Sequence, residues 1–182
     1  RRQRQMCIRD RSQGELVLRA PWLTMGYFRE PEKSEELWAG GWLHTGDVAT
    51  LDAMGVIDIR DRIKDVIKTG GEWISSLDLE DLISRHAAVR EVAVVGVADP
   101  QWGERPFALL VVREGASIDA RELKEHLKPF VELGHINKWA IPSQIALVTE
   151  IPKTSVGKLD KKRIRVDIIE WQASNSAFLS TL

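Results

Sequence analysis

The sequence predicts an α+β fold: a small C-terminal sandwich of a short sheet and helices, preceded by a β-rich remnant of a larger N-terminal domain. Two observations carry this. After about residue 65, β-rich apolar runs alternate with amphipathic helical runs in the order β-α-β-β-α-β-α, a pattern that packs helices on one sheet. From residue 14 to about 62 the chain is mostly β with one short helix, too little to close a core of its own.

The elements follow from local signals. Residues 15–19 alternate and read as a strand, ended by Ala20-Pro21. Pro31 and the acids after it open a helix through Trp38, which Gly40-Gly41 stops. Residues 48–51 and 56–59 are two short strands joined by the turn residues Asp52-Ala53-Met54-Gly55. Ile67-Lys68 and Trp73-Ile74 flank Gly70-Gly71 as a small hairpin. Ser75, with Asp78 three positions on, opens a helix carrying Leu79, Leu82, Ile83 and His86 on one face. Residues 91–97 form a strand ended by Asp99-Pro100, and 107–112 is a continuous apolar run, read as a buried strand. Asp119 caps a helix with Leu123, Leu127 and Phe130 at helical spacing. A strand follows Pro142 at 144–148, and a charged helix closes the chain at 160–170.

Composition excludes several function classes. Lys+Arg number 26 and Asp+Glu 27, so net charge gives no nucleic-acid or membrane-surface patch. Cys7 is the one cysteine, which removes an internal disulfide, a cysteine zinc site and a cysteine nucleophile. No run approaches the roughly 18 apolar residues of a membrane span, and no signal peptide is visible, so a cytoplasmic location is expected. The four histidines show no metal-ligand spacing, and no metal site is expected from this chain. The seven tryptophans are expected chiefly as packing anchors. Residues 1–12 are basic and aperiodic, and 1–13 is set aside as an unrelated or disordered tail.

Three segments carry chemistry: Gly41-Trp42-Leu43-His44-Thr45-Gly46-Asp47, then Asp61-Arg62-Ile63-Lys64-Asp65-Val66-Ile67-Lys68-Thr69-Gly70-Gly71-Glu72-Trp73-Ile74, then Pro152-Lys153-Thr154-Ser155-Val156-Gly157-Lys158. The middle one sets cations beside two glycines, a combination suited to a backbone that swings and lets a ligand pass closely. In the last, Gly157 permits close backbone approach, and Lys158 can place a compact cation on a phosphate or carboxylate oxygen. On residue physics alone, Lys158 reads equally well as a solvated lysine in a basic run with Lys161, Lys162, Arg163 and Arg165. A Walker A loop is excluded, because Pro152 stands where its first glycine belongs. Asp47 alone would be a strand-start aspartate. Arg62 would be a weak surface partner of Asp58 or Asp61.

Together, in this order, the three segments resemble the C-terminal third of the adenylate-forming (AMP-binding) acyl-CoA synthetases. The resemblance runs over about residues 14–171. It implies that Lys158 is the adenylation lysine, bridging the carboxylate substrate and the ATP α-phosphate. It implies that Asp47 accepts the ribose hydroxyls of ATP, two at once as a carboxylate can, and that Arg62 also reaches the ribose. His44 would lie near that site by position. Lys64 corresponds to the hinge at which the C-terminal domain rotates between two half-reactions. Lys68, Gly70, Gly71, Glu72 and Trp73 would form the face used in thioester formation, with Gly71 beside the pantetheine tunnel.

The resemblance also sets boundaries: 14–62 as the remnant of the large AMP-binding domain, 63–64 as hinge, 65–175 as the mobile C-terminal domain and 176–182 as a tail. It implies ATP with Mg2+, held mainly by the large domain, and coenzyme A as co-substrate. Gly-Gly-Glu-Trp-Ile-Ser-Ser points to the fatty-acyl branch, medium- or long-chain. The alternatives are a 3-methylmercaptopropionyl-CoA ligase and an adenylation domain loading a carrier protein. Partners are then small molecules, with neither nucleic acid nor a membrane span, and any homo-oligomer would form through the large domain. The family's phosphate loop and acyl pocket lie upstream of these segments, so the fragment alone is expected to be inactive.

Overall fold

The computed structural model describes residues 13–173 and 179–181. Residues 1–12 of the tail read at 1–13, with Cys7, lie outside them. The described chain divides into two compact units, one ending at Lys64 and one beginning at Asp65.

The first unit is a three-stranded antiparallel sheet. It comprises β1 (Gly14–Leu18), α1 (Pro31–Leu37), a 3-10 turn (Ala39–Gly41), β2 (Leu43–Leu51) and β3 (Ile57–Arg62), in sheet order β1-β2-β3. Proline opens α1, and Gly40 and Gly41 take φ of 65° and 79° where it ends. The Asp52 carboxylate accepts the N–H groups of Met54 and Val56, both at 2.8 Å, and so builds the β2–β3 turn. β2 starts five residues before the expected 48, because β1 pairs along its first half, from Leu18↔Leu43 and Val17↔His44 onward. Among the described residues, the buried apolar side chains of this unit are Val48 and Ala49, whereas Trp22, Met25 and Phe28 are more than four-fifths exposed.

The second unit begins with the hairpin β4 (Ile67–Thr69) and β5 (Glu72–Ile74), followed by α2 (Ser76–Ser84). The long hairpin β6 (Val89–Asp99) and β7 (Gly103–Val112) comes next, then α3 (Ala120–Glu132). A 3-10 turn (Lys138–Ala140), β8 (Gln144–Leu147), α4 (Lys161–Ala173) and β9 (Leu179–Thr181) complete it. β7 pairs antiparallel with β6 and parallel with β8, and β6 pairs only with β7, so β6 lies at an edge. Ser75 caps α2 by accepting from the Asp78 N–H at 3.1 Å, and Asp119 caps α3 through the Glu122 N–H at 2.7 Å.

The sheet is covered on both faces. Val92, Val94, Ala108 and Leu110 pack with Leu79, Leu82 and Ile83 of α2 and Leu123 and Leu127 of α3. The alternate residues Ala93, Val95, Phe107, Leu109 and Val111 pack with Ile164 and Ile168 of α4. This is why 107–112 reads as an unbroken apolar run. One expectation is corrected. His86 lies beyond the end of α2 and sets its ring edge-on to His126 at 4.9 Å. No tryptophan is fully buried: Ile, Leu, Val and Phe107 fill the interior, and the larger indoles sit at its rim. β9 has no signal in the sequence, since three residues cannot show alternation.

Leu110 is fully buried in the larger core cluster. Leu110→Ala should therefore cost about 2–5 kcal/mol of the second unit's stability, read as a lower urea midpoint at unchanged slope.

Candidate active site

The first unit brings Asp47 and Arg62 together. They are register partners across β2 and β3, and Arg62 Nε lies 3.1 Å from Asp47 Oδ1. The irregularity between Val48 and Ala49 sets this register. The ordinary reading of Arg62 named Asp58 or Asp61 as its ion-pair partner. Asp58 is instead held by Arg60 at 2.8 Å, and the Asp61 carboxylate accepts the backbone N–H of Arg62 at 2.7 Å. Arg62 remains largely exposed while Asp47 is half-buried, so the pair presents a carboxylate and a fork of donors at one strand end.

The turn before Asp47 is fastened to β1. Thr45 Oγ1 donates to the Leu16 carbonyl at 2.7 Å and accepts the Asp47 N–H at 3.1 Å. Glu15 accepts the Gly46 N–H at 3.2 Å through one oxygen and holds His44 Nδ1 at 2.7 Å through the other. That hydrogen bond raises the His44 pKa above its usual value. Gly46 takes φ of 71°, where a side chain would be strained. Sequence reasoning missed Glu15: it sits in the expected first strand and shows no spacing relation to Asp47.

Lys64 is the last residue of the first unit and is exposed. In the second unit, Thr69↔Glu72 pairing leaves Gly70 and Gly71 as a two-residue turn with φ of 56° and 87°. Two left-handed residues in succession demand glycine-like freedom. The glycines differ in surroundings. A Cβ on Gly70 would come within 3.2 Å of the Trp102 ring, and its N–H donates to the Trp102 carbonyl at 2.9 Å. A Cβ on Gly71 would meet nothing within 4 Å. Lys68 and Trp73 are cross-strand partners, with the ammonium 5.6 Å from the indole centroid, a cation–π pair on the open side of the hairpin. Glu72 is exposed beside them. Trp102 continues into Trp139, ring centroids 4.8 Å apart, an aromatic support for the hairpin that no local motif announced.

Lys158 stands in a closed loop between β8 and α4. Thr154 N–H donates to the Lys158 carbonyl at 2.7 Å, Gly157 N–H to the Thr154 carbonyl at 2.9 Å, and Asp160 N–H to the Pro152 carbonyl at 2.9 Å. Gly157 takes φ of 77°, the left-handed residue of a three-residue turn. The basic run around it separates by partner. Lys153 pairs with Glu91, Lys161 with Glu80, Arg163 with Asp167 and Arg165 with Asp65. Lys158 and Lys162 are exposed and have no side-chain partner among the described residues. Also among those residues, no three His, Cys, Asp or Glu side chains gather to hold a metal ion.

With these positions known, comparison decides the family. Residues 78–158 match the family model described as the AMP-binding enzyme C-terminal domain. The chain carries an AMP-binding enzyme C-terminal domain. It is 44% identical over 153 residues to a long-chain-fatty-acid–CoA ligase of Thermus thermophilus, covering 84% of this chain and 27% of that protein. It is 42% identical over 154 residues to a 3-methylmercaptopropionyl-CoA ligase of Ruegeria lacuscaerulensis, covering 85% and 27%. Among solved structures it is similar to the o-succinylbenzoate CoA synthetase of Bacillus subtilis bound to its acyl-adenylate intermediate. There the TM-score is 0.74 at 30% identity, over 85% of this chain and 30% of the other. An amide bond synthetase of Marinactinospora thermotolerans gives a TM-score of 0.71 at 36% identity, over 85% and 31%. The chain thus spans about a quarter of the length of the curated relatives it matches. No helix among the described residues is long and apolar enough to cross a membrane.

The His44–Glu15 pair makes a pH prediction. The folded pKa of His44 is raised, so the pair's stabilisation is full below the unfolded value of about 6.5 and is lost as pH rises through the folded value. NMR titration of the imidazole should show the raised midpoint, and Glu15→Gln should lower it. An unchanged midpoint in that variant would assign the shift to something other than Glu15.

Proposed function

We propose that this chain is the C-terminal part of an AMP-forming acid–thiol ligase. The parent joins a carboxylate to ATP, releasing pyrophosphate and forming an acyl-adenylate. It then transfers the acyl group to the thiol of coenzyme A, releasing AMP. The observation that carries this is the Asp47–Arg62 pair: residues 15 positions apart, each singled out for the ribose, meet at 3.1 Å. A carboxylate can accept both ribose hydroxyls, and the arginine orients it while adding donors of its own. Lys158, which has no side-chain partner among the described residues, supports the reading further, because an ammonium not engaged by protein acids can be placed on a phosphate or carboxylate oxygen.

Lys158 serves adenylate formation, and the Gly70–Gly71 hairpin serves thioester formation. Rotation at Lys64 exchanges one for the other. Gly71 fits its part because the space at its Cβ position is open, so a pantetheine arm could run past it. Lys68 and Trp73 share one side of the hairpin, and Glu72 is exposed next to Trp73 along the strand. Mg2+ accompanies the ATP phosphates and is held by residues outside this chain. The 44% identity to the long-chain-fatty-acid–CoA ligase favours a medium- or long-chain fatty acid as substrate. A short thioether acid is the second reading, favoured by the 42% identity to the 3-methylmercaptopropionyl-CoA ligase. Steady-state rates on a panel of acids separate the two.

The test uses the full-length ligase and assays each half-reaction alone. Lys158→Ala should lower carboxylate-dependent ATP–pyrophosphate exchange by about 10²–10³-fold, while transfer from supplied acyl-adenylate to coenzyme A persists. Loss of both together would make the lysine structural. Gly71→Leu should do the reverse, keeping exchange and losing acyl-CoA. Because φ at Gly71 is 87°, Gly71→Asn serves as the less strained variant, with folding checked by circular dichroism. Intact acyl-CoA production in both would remove the hairpin from the thiol's path.

A further inference from the structure

Lys161 differs from the other cations of the basic run in being buried. Its side chain is 10% exposed, that of Glu80 is 11%, and Nζ lies 2.8 Å from Glu80 Oε1 and 2.7 Å from Ser76 Oγ. The same Glu80 oxygen accepts the Val94 N–H at 2.8 Å. Val94 lies on β6, the edge strand, while α2 covers one sheet face and α4 the other. The pair therefore closes over the sheet edge. It joins the start of α2, the edge of β6 and the first residue of α4.

Lys161 is three residues after Lys158, and the loop between Pro152 and Asp160 is closed by its own hydrogen bonds. Such a loop moves as a piece, and its aim is set by how its two ends are tied. The upstream end has the Lys153–Glu91 pair at 2.8 Å, with side chains 46% and 34% exposed, where solvent screens the attraction. The downstream end has the buried Lys161–Glu80–Ser76 network. A buried charge pair with its remaining lone pairs satisfied is rigid, and breaking it from one side is costly. Replacing both charges by neutral groups of similar size can instead leave stability intact. A stability-only role predicts that such a double replacement is harmless.

We propose that Lys161, through Glu80 and Ser76, is a positioning residue that fixes the aim of the Lys158 loop. This rests on the functional reading given above. A misplacement of about 1 Å in a group acting on a reacting oxygen can cost on the order of 10²-fold in rate. Ground-state folding would register none of that loss.

The experiment compares wild type, Lys161→Met, Glu80→Gln/Lys161→Met and Lys161→Arg in the full-length ligase. Each half-reaction is assayed alone, thermal midpoints are measured, and amide hydrogen exchange is followed at Thr154, Gly157 and Asp160. In the double variant we expect a near wild-type midpoint and adenylate formation lowered about 100-fold. Transfer from supplied acyl-adenylate should be unchanged, and exchange at the three loop amides faster. Lys161→Arg, which keeps a cation for Glu80, should restore adenylate formation. A double variant with normal midpoint, normal adenylate formation and slow loop exchange overturns the proposal. So does an equal fall of both half-reactions. If wild type performs neither half-reaction, the functional reading fails. Loop exchange then decides separately whether Lys161 fixes the loop.

Discussion

Everything in the second unit hangs on a ribbon that is apolar on both faces. Along β6 and β7, one set of residues packs against α2 and α3 and the alternate set against α4. A strand buried on two sides cannot slip register by one residue without exchanging its two cores, so its position is fixed as firmly as sheet chemistry allows. Both candidate sites are tied to it. The Gly70–Gly71 turn is fastened through the Gly70 N–H to Trp102, in the turn between β6 and β7, and through the Thr69↔Gly103 bridge. The Lys158 loop follows β8, which runs parallel to β7, and is held to β6 through Glu91 and Glu80.

Charge in this unit is sorted by solvent access. Lys161 and Glu80 are withdrawn from water, so each needs the other and further hydrogen bonds. Lys153 with Glu91, and Arg163 with Asp167, stay at the surface, where a pair adds little to stability. Lys158 and Lys162 are exposed, with no side-chain partner among the described residues. One basic segment thus supplies a buried tie, weak surface pairs and two cations without a side-chain partner among the described residues. Their roles follow from burial and partner, since residue type is nearly constant along the run.

Where the sequence was legible, a long periodic signal or a cap with a mechanism carried it. The helix with Leu123 and Leu127 on one face and Asp119 at its start was legible, as was burial of the strand at 107–112. So was the hairpin around Gly70-Gly71, because two adjacent left-handed residues leave few alternatives. Length was poorly legible: β6 and β7 both run beyond their apolar centres, into Arg90, Asp99, Glu104 and Arg105, because backbone pairing continues after side-chain patterning has stopped. His86 was placed on a helix face that ends before it, since helical spacing persists on paper after the chain has turned.

Candidate residues could be named from the sequence, but their geometry could not. Asp47 and Arg62 stood out separately, but their meeting depends on a register set by a bulge between Val48 and Ala49, and no local rule announces one. Arg62 had nearer acids at Asp58 and Asp61. Nearness in sequence misled because side chains alternate along a strand: an acid one residue away points to the other face, and one four residues away was already taken by Arg60. Glu15 and Lys161 were passed over for a related reason. Neither touches a site directly. Glu15 holds the turn that presents Asp47, and Lys161 ties down the helix that follows Lys158. A residue of this kind is recognised by what it fastens, and that is a property of contacts between elements rather than of any stretch of chain.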